Sequence, residues 1–137
     1  MMIGPATADD ATDVIALWRE CDLTRPWNDP AADFGRAIGN SGSTVLIARD
    51  RDRVTGSVMV GHDGHRGWVY YLAVAAEARG KGLGRTLMDA ATDWLRAHNI
   101  PKIQLMVRES NAEAQAFYAA LGYDRQPVST WGKWLDT

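Results

Sequence analysis

A glycine-rich loop between a strand-like segment and a helix-like segment is the feature that most constrains this chain. Residues 79–84 read Arg-Gly-Lys-Gly-Leu-Gly, so three glycines fall within five residues. Such a loop leaves its backbone N–H groups uncovered, and at a helix N-terminus those groups and the helix dipole both favour negative charge. The sequence therefore predicts a strand–loop–helix unit with an anion site, and a ligand that carries phosphates.

The composition fits a single globular domain over residues 1–137, because the chain has 46% hydrophobic and 23% charged residues. A formal charge of −2 provides no basic field for nucleic acid. The longest apolar run, 68–76, is far shorter than the roughly twenty residues that cross a bilayer. The first residues lack a signal-peptide pattern, so we expect a cytoplasmic protein without a membrane partner. Cys21 is the only cysteine, which excludes an internal disulfide and a multi-cysteine metal site.

Hydrophobic periodicity predicts an α/β fold with a mixed central sheet and helices on both faces. Strands are expected at 3–6, 44–48, 55–60, 68–74, 102–107 and 128–135. The strand at 68–74 is apolar on both faces, so it is expected to be central and buried on both.

Four helices are expected between these strands. The first begins at Asp9 or Asp10, the second spans 31–38, and the third follows the glycine loop. Ser110 is expected to cap the fourth, with Glu113 completing a capping box, and Gly122 ends it.

Two common nucleotide-binding motifs do not match the loop. No Gly-x-x-x-x-Gly-Lys-[Ser/Thr] string occurs, which excludes a P-loop. A Rossmann fingerprint needs Gly-x-Gly-x-x-Gly, whereas the glycines here stand at 80, 82 and 84. Taken alone, the three glycines could also be an ordinary strand-to-helix turn.

Two motifs together resemble the GNAT superfamily of N-acetyltransferases. Arg79-x-x-Gly82-x-Gly84, preceded by Tyr-Leu-Ala-Val at 71–74, is similar to the family's acyl-CoA loop. Asn111-x-x-Ala-x-x-Phe-Tyr118, followed by Leu-Gly-Tyr at 121–123, is similar to its later cofactor motif. The strings at 21–30 and 61–67 also resemble the bacterial YpeA-type subgroup.

The resemblance implies a GNAT-type fold and transfer of an acetyl group from acetyl-CoA to a primary amine, by direct attack in a ternary complex without a metal. Backbone N–H groups at 80–85 would hold the pyrophosphate, and the edge of strand 68–74 would pair with the pantetheine arm. The implied cofactor-binding residues are Leu72, Ala73, Val74, Arg79, Gly80, Lys81, Gly82, Leu83, Gly84, Arg85, Asn111 and Phe117. Among these, Arg79 and Lys81 have a plainer alternative as solvated charges.

Tyr118 is the implied catalytic residue. A phenol near the thioester sulfur could give the leaving thiolate a proton. The alternative is that Tyr118 simply packs with Phe117 and Leu121. Many members place a glutamate on the central strand as general base. Here the segment from Trp68 to Ala76 contains no acidic side chain. The base is therefore a water, a loop carboxylate or absent.

Two polar segments are expected to form the acceptor pocket. One contains Arg25, Trp27, Asn28 and Asp29, and the other is the turn around His65. The first could instead be a structural loop. His62 and His65 could suggest a metal, but with only Asp63 as a third ligand a solvated turn is favoured.

Alternatives from other functional classes stay open. A non-catalytic acyl-CoA-binding sensor would bind the cofactor without transferring its acetyl group. A structural or interaction protein would use the tryptophan-rich C-terminus, where Trp131 and Trp134 could serve the core or a homodimer contact.

Overall fold

The computed structural model describes residues 2–136 and divides into two compact units, the first ending at Met106 and the second beginning at Val107. The first unit contains five strands and three α-helices. In chain order they are β1 (Met2–Pro5), α1 (Ala11–Glu20), α2 (Pro30–Ile38), β2 (Ser43–Asp50), β3 (Arg53–His62), β4 (Gly67–Val74), α3 (Leu83–Ala97) and β5 (Ile103–Leu105). The second unit contains one helix, α4 (Ala112–Ala120).

The five strands form one mixed sheet in the order β1-β2-β3-β4-β5. Neighbouring strands from β1 to β4 are antiparallel, whereas β4 and β5 are parallel. The parallel pair is joined through α3, as a parallel connection requires a crossover. The strand–loop–helix unit predicted around the glycine loop is therefore present.

Helices α1 and α2 cover one face of the sheet. Trp18 and Phe34 are almost completely buried there, with Val45 and Ile47 of β2 in the same cluster. The indole N–H of Trp18 donates to Ser57 Oγ at 2.9 Å, so the buried polar groups satisfy each other.

Helix α3 covers the opposite face. Leu87, Met88 and Leu95 are buried, and two glycines on the sheet allow the helix to approach closely. A Cβ at Gly56 would lie 2.8 Å from Leu87 Cδ1, and one at Gly67 would overlap the Leu95 side chain. A larger residue at either position would force these leucine side chains to move and would disturb the packing of α3 on the sheet.

Strand β4 carries a bulge at its centre. Ser57 pairs with Ala73 and Met59 pairs with Tyr70, so Tyr71 and Leu72 together oppose Val58. Tyr71 has a φ of 53°, which a residue with a Cβ seldom adopts. Strand β5 pairs only with residues 67–69 of β4. Within residues 2–136, no strand pairs with the second half of β4 on that side.

The structure corrects three expectations. Strand 68–74 is not buried on both faces, because Tyr70 is 45% exposed. Asn111, not Ser110, caps α4, since its side chain accepts from the N–H of Ala114. The strand expected at 102–107 is limited to Ile103–Leu105.

The prediction of a strand at 128–135 is wrong. None of these residues forms a strand, and Trp131 and Leu135 are 91% and 88% exposed. Gly132 and Lys133 interrupt the apolar pattern, and a strand also needs a ladder partner that local sequence cannot reveal. Among the described helices, none is long and apolar enough to span a membrane.

Candidate functional site

The glycine loop is open where side chains would otherwise stand. A short 3₁₀ turn (Ala76–Ala78) leads from β4 to the loop, and Gly82 is the N-cap of α3. Gly80 and Gly82 have φ values of 77° and 80°. A Cβ at either position would meet no atom within 4 Å. Their positive φ, not packing, therefore requires glycine, and the space beside the backbone is available to a ligand.

The N-terminus of α3 lacks the negative groups that usually compensate a helix dipole. Its first turn contains no acidic residue, and its N-cap has no side chain to accept an N–H. Helix α2 provides the contrast, because Asp29 caps it and Asp33 lies in its first turn. The first N–H groups of α3 have no partner within the helix, and exposed Lys81 and Arg85 add positive charge. This end of α3 suits a phosphate group.

The open edge of β4 runs up to this loop. Ala73 pairs with Ser57 and the N–H of Ala75 donates to the Thr55 carbonyl, so the backbone of Val74 between them faces away from β3. The Val74 carbonyl accepts from Arg79 Nε at 3.1 Å and from Cys21 Sγ at 3.4 Å. Arg79 thus stabilises the end of β4 through this hydrogen bond.

The predicted cofactor residues of the first unit fall into two groups. Those at 79–85 lie in the loop and the first turn of α3, although the side chain of Leu83 is buried in the core, which leaves its backbone for binding. Leu72, Ala73 and Val74 lie on β4 after its pairing with β5 has ended. Ala73 is itself buried, at 2% exposure.

Tyr71 at the bulge is held from three sides. Its ring stacks on Trp18, with centroids 3.9 Å apart and planes 9° apart. Its hydroxyl donates to Asp33 Oδ2 at 2.8 Å, and its carbonyl accepts from Ser57 Oγ at 3.0 Å. Burial, together with the hydrogen bond to Asp33, raises the pKa of Tyr71, so its hydroxyl stays protonated.

The first predicted acceptor segment forms the loop between α1 and α2. The Arg25 guanidinium donates to the carbonyls of Asp22 and Thr24 at 2.8 Å each, and the N–H of Asn28 donates to the Arg25 carbonyl. Asp29 caps α2, whereas Trp27 is 55% exposed. Arg25 and Asp29 therefore shape the loop, and Trp27 presents a large surface.

Contacts on either side of this loop fix its place in the first unit. Cys21 before it bonds to Val74, and Asp33 after it bonds to Tyr71. The loop therefore begins and ends against the second half of β4, the half that leads into the glycine loop.

The turn around His65 lies elsewhere. It precedes β4, and its Asp63 carboxylate accepts the N–H groups of His65 and Arg66. His62 contacts Trp94 and His98 at the C-terminal end of α3. The length of β4, about 25 Å for eight residues, separates this turn from the glycine loop. The structure therefore does not bring the two predicted acceptor segments together, because they flank opposite ends of one strand.

The second unit contains the remaining predicted residues. Asn111 caps α4 through its side-chain oxygen, 3.0 Å from the N–H of Ala114. Phe117 and Tyr118 are half-buried, and Tyr118 makes edge contacts with Phe117 and Tyr123. Burial, with a smaller contribution from Tyr123, raises the pKa of Tyr118 to about 12. The phenol is therefore protonated at any physiological pH.

Across the described residues, no group of three or more His, Cys, Asp or Glu side chains could hold a metal ion. The structure also adds residues that sequence reasoning missed. Asp33 and Ser57 lie in no motif, and Tyr71 had no role assigned within its motif. The Tyr71–Asp33 hydrogen bond joins residues 38 apart in sequence. The local signal was a pair of tyrosines, Tyr70 and Tyr71, within an otherwise apolar strand.

Comparison with known proteins agrees with the fold. Residues 12–123 match the model of the acetyltransferase (GNAT) family, so the chain belongs to this family. A mutant of the BH1408 protein from Bacillus halodurans is 26% identical over 98% of this chain and 100% of that chain, with a TM-score of 0.78.

Two enzymes with different acceptors share the fold. AAC(6')-Iy, in complex with the bisubstrate analogue CoA-S-monomethyl-acetylneamine, is 15% identical over 98% of each chain, with a TM-score of 0.82. An alanine N-acetyltransferase of a ribosomal protein from Escherichia coli is 20% identical over 91% of this chain and 78% of that chain, with a TM-score of 0.78. At these identities the likeness concerns the fold alone.

Proposed function

We propose that this chain is a cytoplasmic, single-domain N-acetyltransferase that transfers the acetyl group of acetyl-CoA to a primary amine. The observation that carries the proposal is the uncompensated N-terminus of α3 behind a glycine loop with open space at Gly80 and Gly82. Family membership supports acetyl transfer as the reaction.

The loop and the β4 edge supply the groups that acetyl-CoA needs. Backbone N–H groups at 80–85 would bind the pyrophosphate, with Lys81 and Arg85 adding charge. The pantetheine amides would pair with the backbone of Leu72 and Val74 as an added strand. Because Arg79 and Cys21 already engage the Val74 carbonyl, the Val74 N–H is the group left for that pairing.

Residues of the second unit complete the proposal on the basis of their motif. Asn111 and Phe117 would help to bind the cofactor. The spare amide hydrogens of Asn111 suit this role, since its side-chain oxygen is used as a cap.

The reaction would run by direct attack in a ternary complex. The amine nitrogen bonds to the acetyl carbon, and a backbone N–H of β4 stabilises the negative charge on the carbonyl oxygen. The carbon–sulfur bond then breaks, and Tyr118 donates a proton to the departing thiolate. Burial raises the pKa of Tyr118 to about 12, so the phenol is protonated and has an O–H to direct at the departing sulfur. The amine's proton leaves to water or to a loop carboxylate, and Tyr118 regains a proton from water before the next turnover.

The acceptor would lie against the loop between α1 and α2. Exposed Trp27 offers an aromatic surface, and Asn28 and Asp29 offer polar groups beside it. Arg25 shapes this loop through its carbonyl contacts. His65 is not included, since its turn lies at the other end of β4. Aminoglycoside 6'-N-acetyltransferase and alanine N-acetyltransferase relatives show that this fold serves chemically different amines.

Two finer assignments complete the proposal. The strings at 21–30 and 61–67 support placement in the YpeA-type subgroup.

The exposure of Trp131 and Trp134, at 91% and 58%, supports a homodimer contact through the C-terminal segment. Sedimentation of the wild-type chain and a Trp131→Ser variant tests that contact, with dimer expected only for the wild type.

Calorimetry followed by a thiol-release assay tests the function. Acetyl-CoA should bind to the isolated protein, and CoA thiol should then appear only when an amine acceptor is added. Binding without release over a broad panel of amines would favour the sensor alternative. No binding at all would contradict the proposal.

A further inference from the structure

One side-chain hydrogen bond connects the β4 bulge to the helix that follows the α1–α2 loop. The Tyr71 hydroxyl donates to Asp33 Oδ2 at 2.8 Å, and Asp33 Oδ1 accepts from Arg36 Nη2, also at 2.8 Å. Asp33 lies in the first turn of α2, immediately after the loop. Tyr71 is the residue of β4 with positive φ. The bond therefore joins two surfaces that the proposed reaction needs at a fixed separation.

The bulge depends on side chains to keep its shape. A φ of 53° is unfavourable for a residue with a Cβ, so surrounding contacts must hold it. Trp18 holds the ring by stacking, and Ser57 holds the carbonyl. Trp18 lies on α1 and Ser57 lies on β3. Asp33 alone among these partners lies on α2, so its contact joins the bulge directly to the helix that follows the acceptor loop.

We propose that Tyr71 and Asp33 are positioning residues for acetyl transfer, whose hydrogen bond sets the acceptor loop against the thioester-binding edge of β4. The inference rests on the proposed function. Neither side chain needs to touch the reacting atoms. The hydrogen bond would orient the amine and the acetyl group for attack, while the loop at 79–84 binds the cofactor independently.

This arrangement predicts an effect on turnover and not on cofactor affinity. A misplacement of about 1 Å can cost roughly a hundredfold in rate, so a partial loss of about tenfold in kcat is expected without the bond. The pyrophosphate contacts lie beyond the end of β4. The variants remove a side-chain hydrogen bond and keep the backbone groups of β4 that would pair with the pantetheine, so the acetyl-CoA Kd should stay within about twofold.

Four variants separate positioning from packing. Tyr71→Phe keeps the ring on Trp18 and removes only the hydroxyl. Asp33→Ala removes the acceptor oxygen, whereas Asp33→Asn keeps an oxygen that can accept the same bond. Arg36→Ala is the matched control, because it removes the other partner of Asp33 and leaves the Tyr71 contact intact. Each variant would be assayed for acetyl-CoA Kd, acceptor KM and kcat.

Under the inference, kcat falls about tenfold in Tyr71→Phe and in Asp33→Ala, and recovers to within about threefold of wild type in Asp33→Asn. Arg36→Ala keeps wild-type kcat. The double variant Tyr71→Phe/Asp33→Ala is no slower than either single variant, since both remove one interaction.

Wild-type kcat in Tyr71→Phe, or multiplying losses in the double variant, would overturn the inference while leaving the proposed function intact. A wild-type chain that binds no acetyl-CoA would overturn the proposed function first and this inference with it. An equal rise of Kd and fall of kcat would show that the bond merely supports the fold, which also overturns the inference.

Discussion

Replacing Gly82 with alanine should weaken acetyl-CoA binding far more than it weakens the fold. Gly82 has a φ of 80° and forms the N-cap of α3, with open space where a Cβ would stand. The added methyl would project into the space proposed for the pyrophosphate. Loss of one hydrogen bond to a charged group costs about 1.5–3 kcal/mol, so the acetyl-CoA Kd should rise about 10- to 100-fold.

A second glycine of the chain provides a matched control. Gly64 has a φ of 86° and open space at its Cβ position, but it lies in the turn before β4. Alanine at either position should cost about 1–2 kcal/mol of unfolding free energy through the left-handed backbone alone. Urea denaturation would measure that shared cost, and calorimetry at the same temperature would measure the Kd of each variant.

The two variants separate strain from binding. We expect similar losses of stability in both and a raised Kd only in Gly82→Ala. A folded Gly82→Ala protein with the wild-type Kd would refute the placement of the pyrophosphate on this loop. Equal rises of Kd in the two variants would also refute it, because they would show that general destabilisation causes the effect.

Three further predictions concern catalysis, the acceptor and the core. Tyr118→Phe should lower kcat about a hundredfold. Because the pKa of Tyr118 is about 12, ionisation of this group should not lower the wild-type kcat between pH 7 and pH 10. A fall of kcat in that pH range that disappears in Tyr118→Phe would contradict the prediction. Trp27→Ala should raise the acceptor KM and leave the acetyl-CoA Kd unchanged. Asp29→Asn, which preserves the α2 cap, should raise KM only for cationic amines. Steady-state kinetics with a cationic and a neutral acceptor would contradict both predictions if neither variant changed KM. Trp18→Ala should lower the free energy of unfolding by about 3–5 kcal/mol, since Trp18 is completely buried and stacks on Tyr71. A loss below about 1 kcal/mol in urea denaturation would refute its place in the core.

Local sequence predicted the elements that have strong periodicity and clear end signals. Helix α3, the glycine loop and β4 are where the pattern placed them, because apolar spacing and glycine at positive φ act within a few residues. Helix α2 begins at Pro30, one residue before the prediction, with Asp29 as its cap. These signals locate the N-terminus of α3, where we propose that the pyrophosphate binds, without any tertiary information.

Other features depended on distant partners. The expected strand at 128–135 has apolar residues but no strand paired with it among the described residues, and pairing is not encoded locally. The separation of His65 from Asp29 follows from their connection to opposite ends of β4. Likewise, the Tyr71–Asp33 bond joins two segments whose proximity arises only when α2 packs on the sheet.

Mass spectrometry with acetyl-CoA labelled in its acetyl group tests the central claim most directly. The purified chain would be incubated with the labelled cofactor and a panel of primary amines that includes aminoglycosides, polyamines, amino acids and peptides with free N-termini. We expect a labelled N-acetyl product of at least one amine, formed with one equivalent of free CoA and reduced in Gly82→Ala when the labelled cofactor is below saturation. Tight acetyl-CoA binding with no labelled product from any amine in the panel would contradict it.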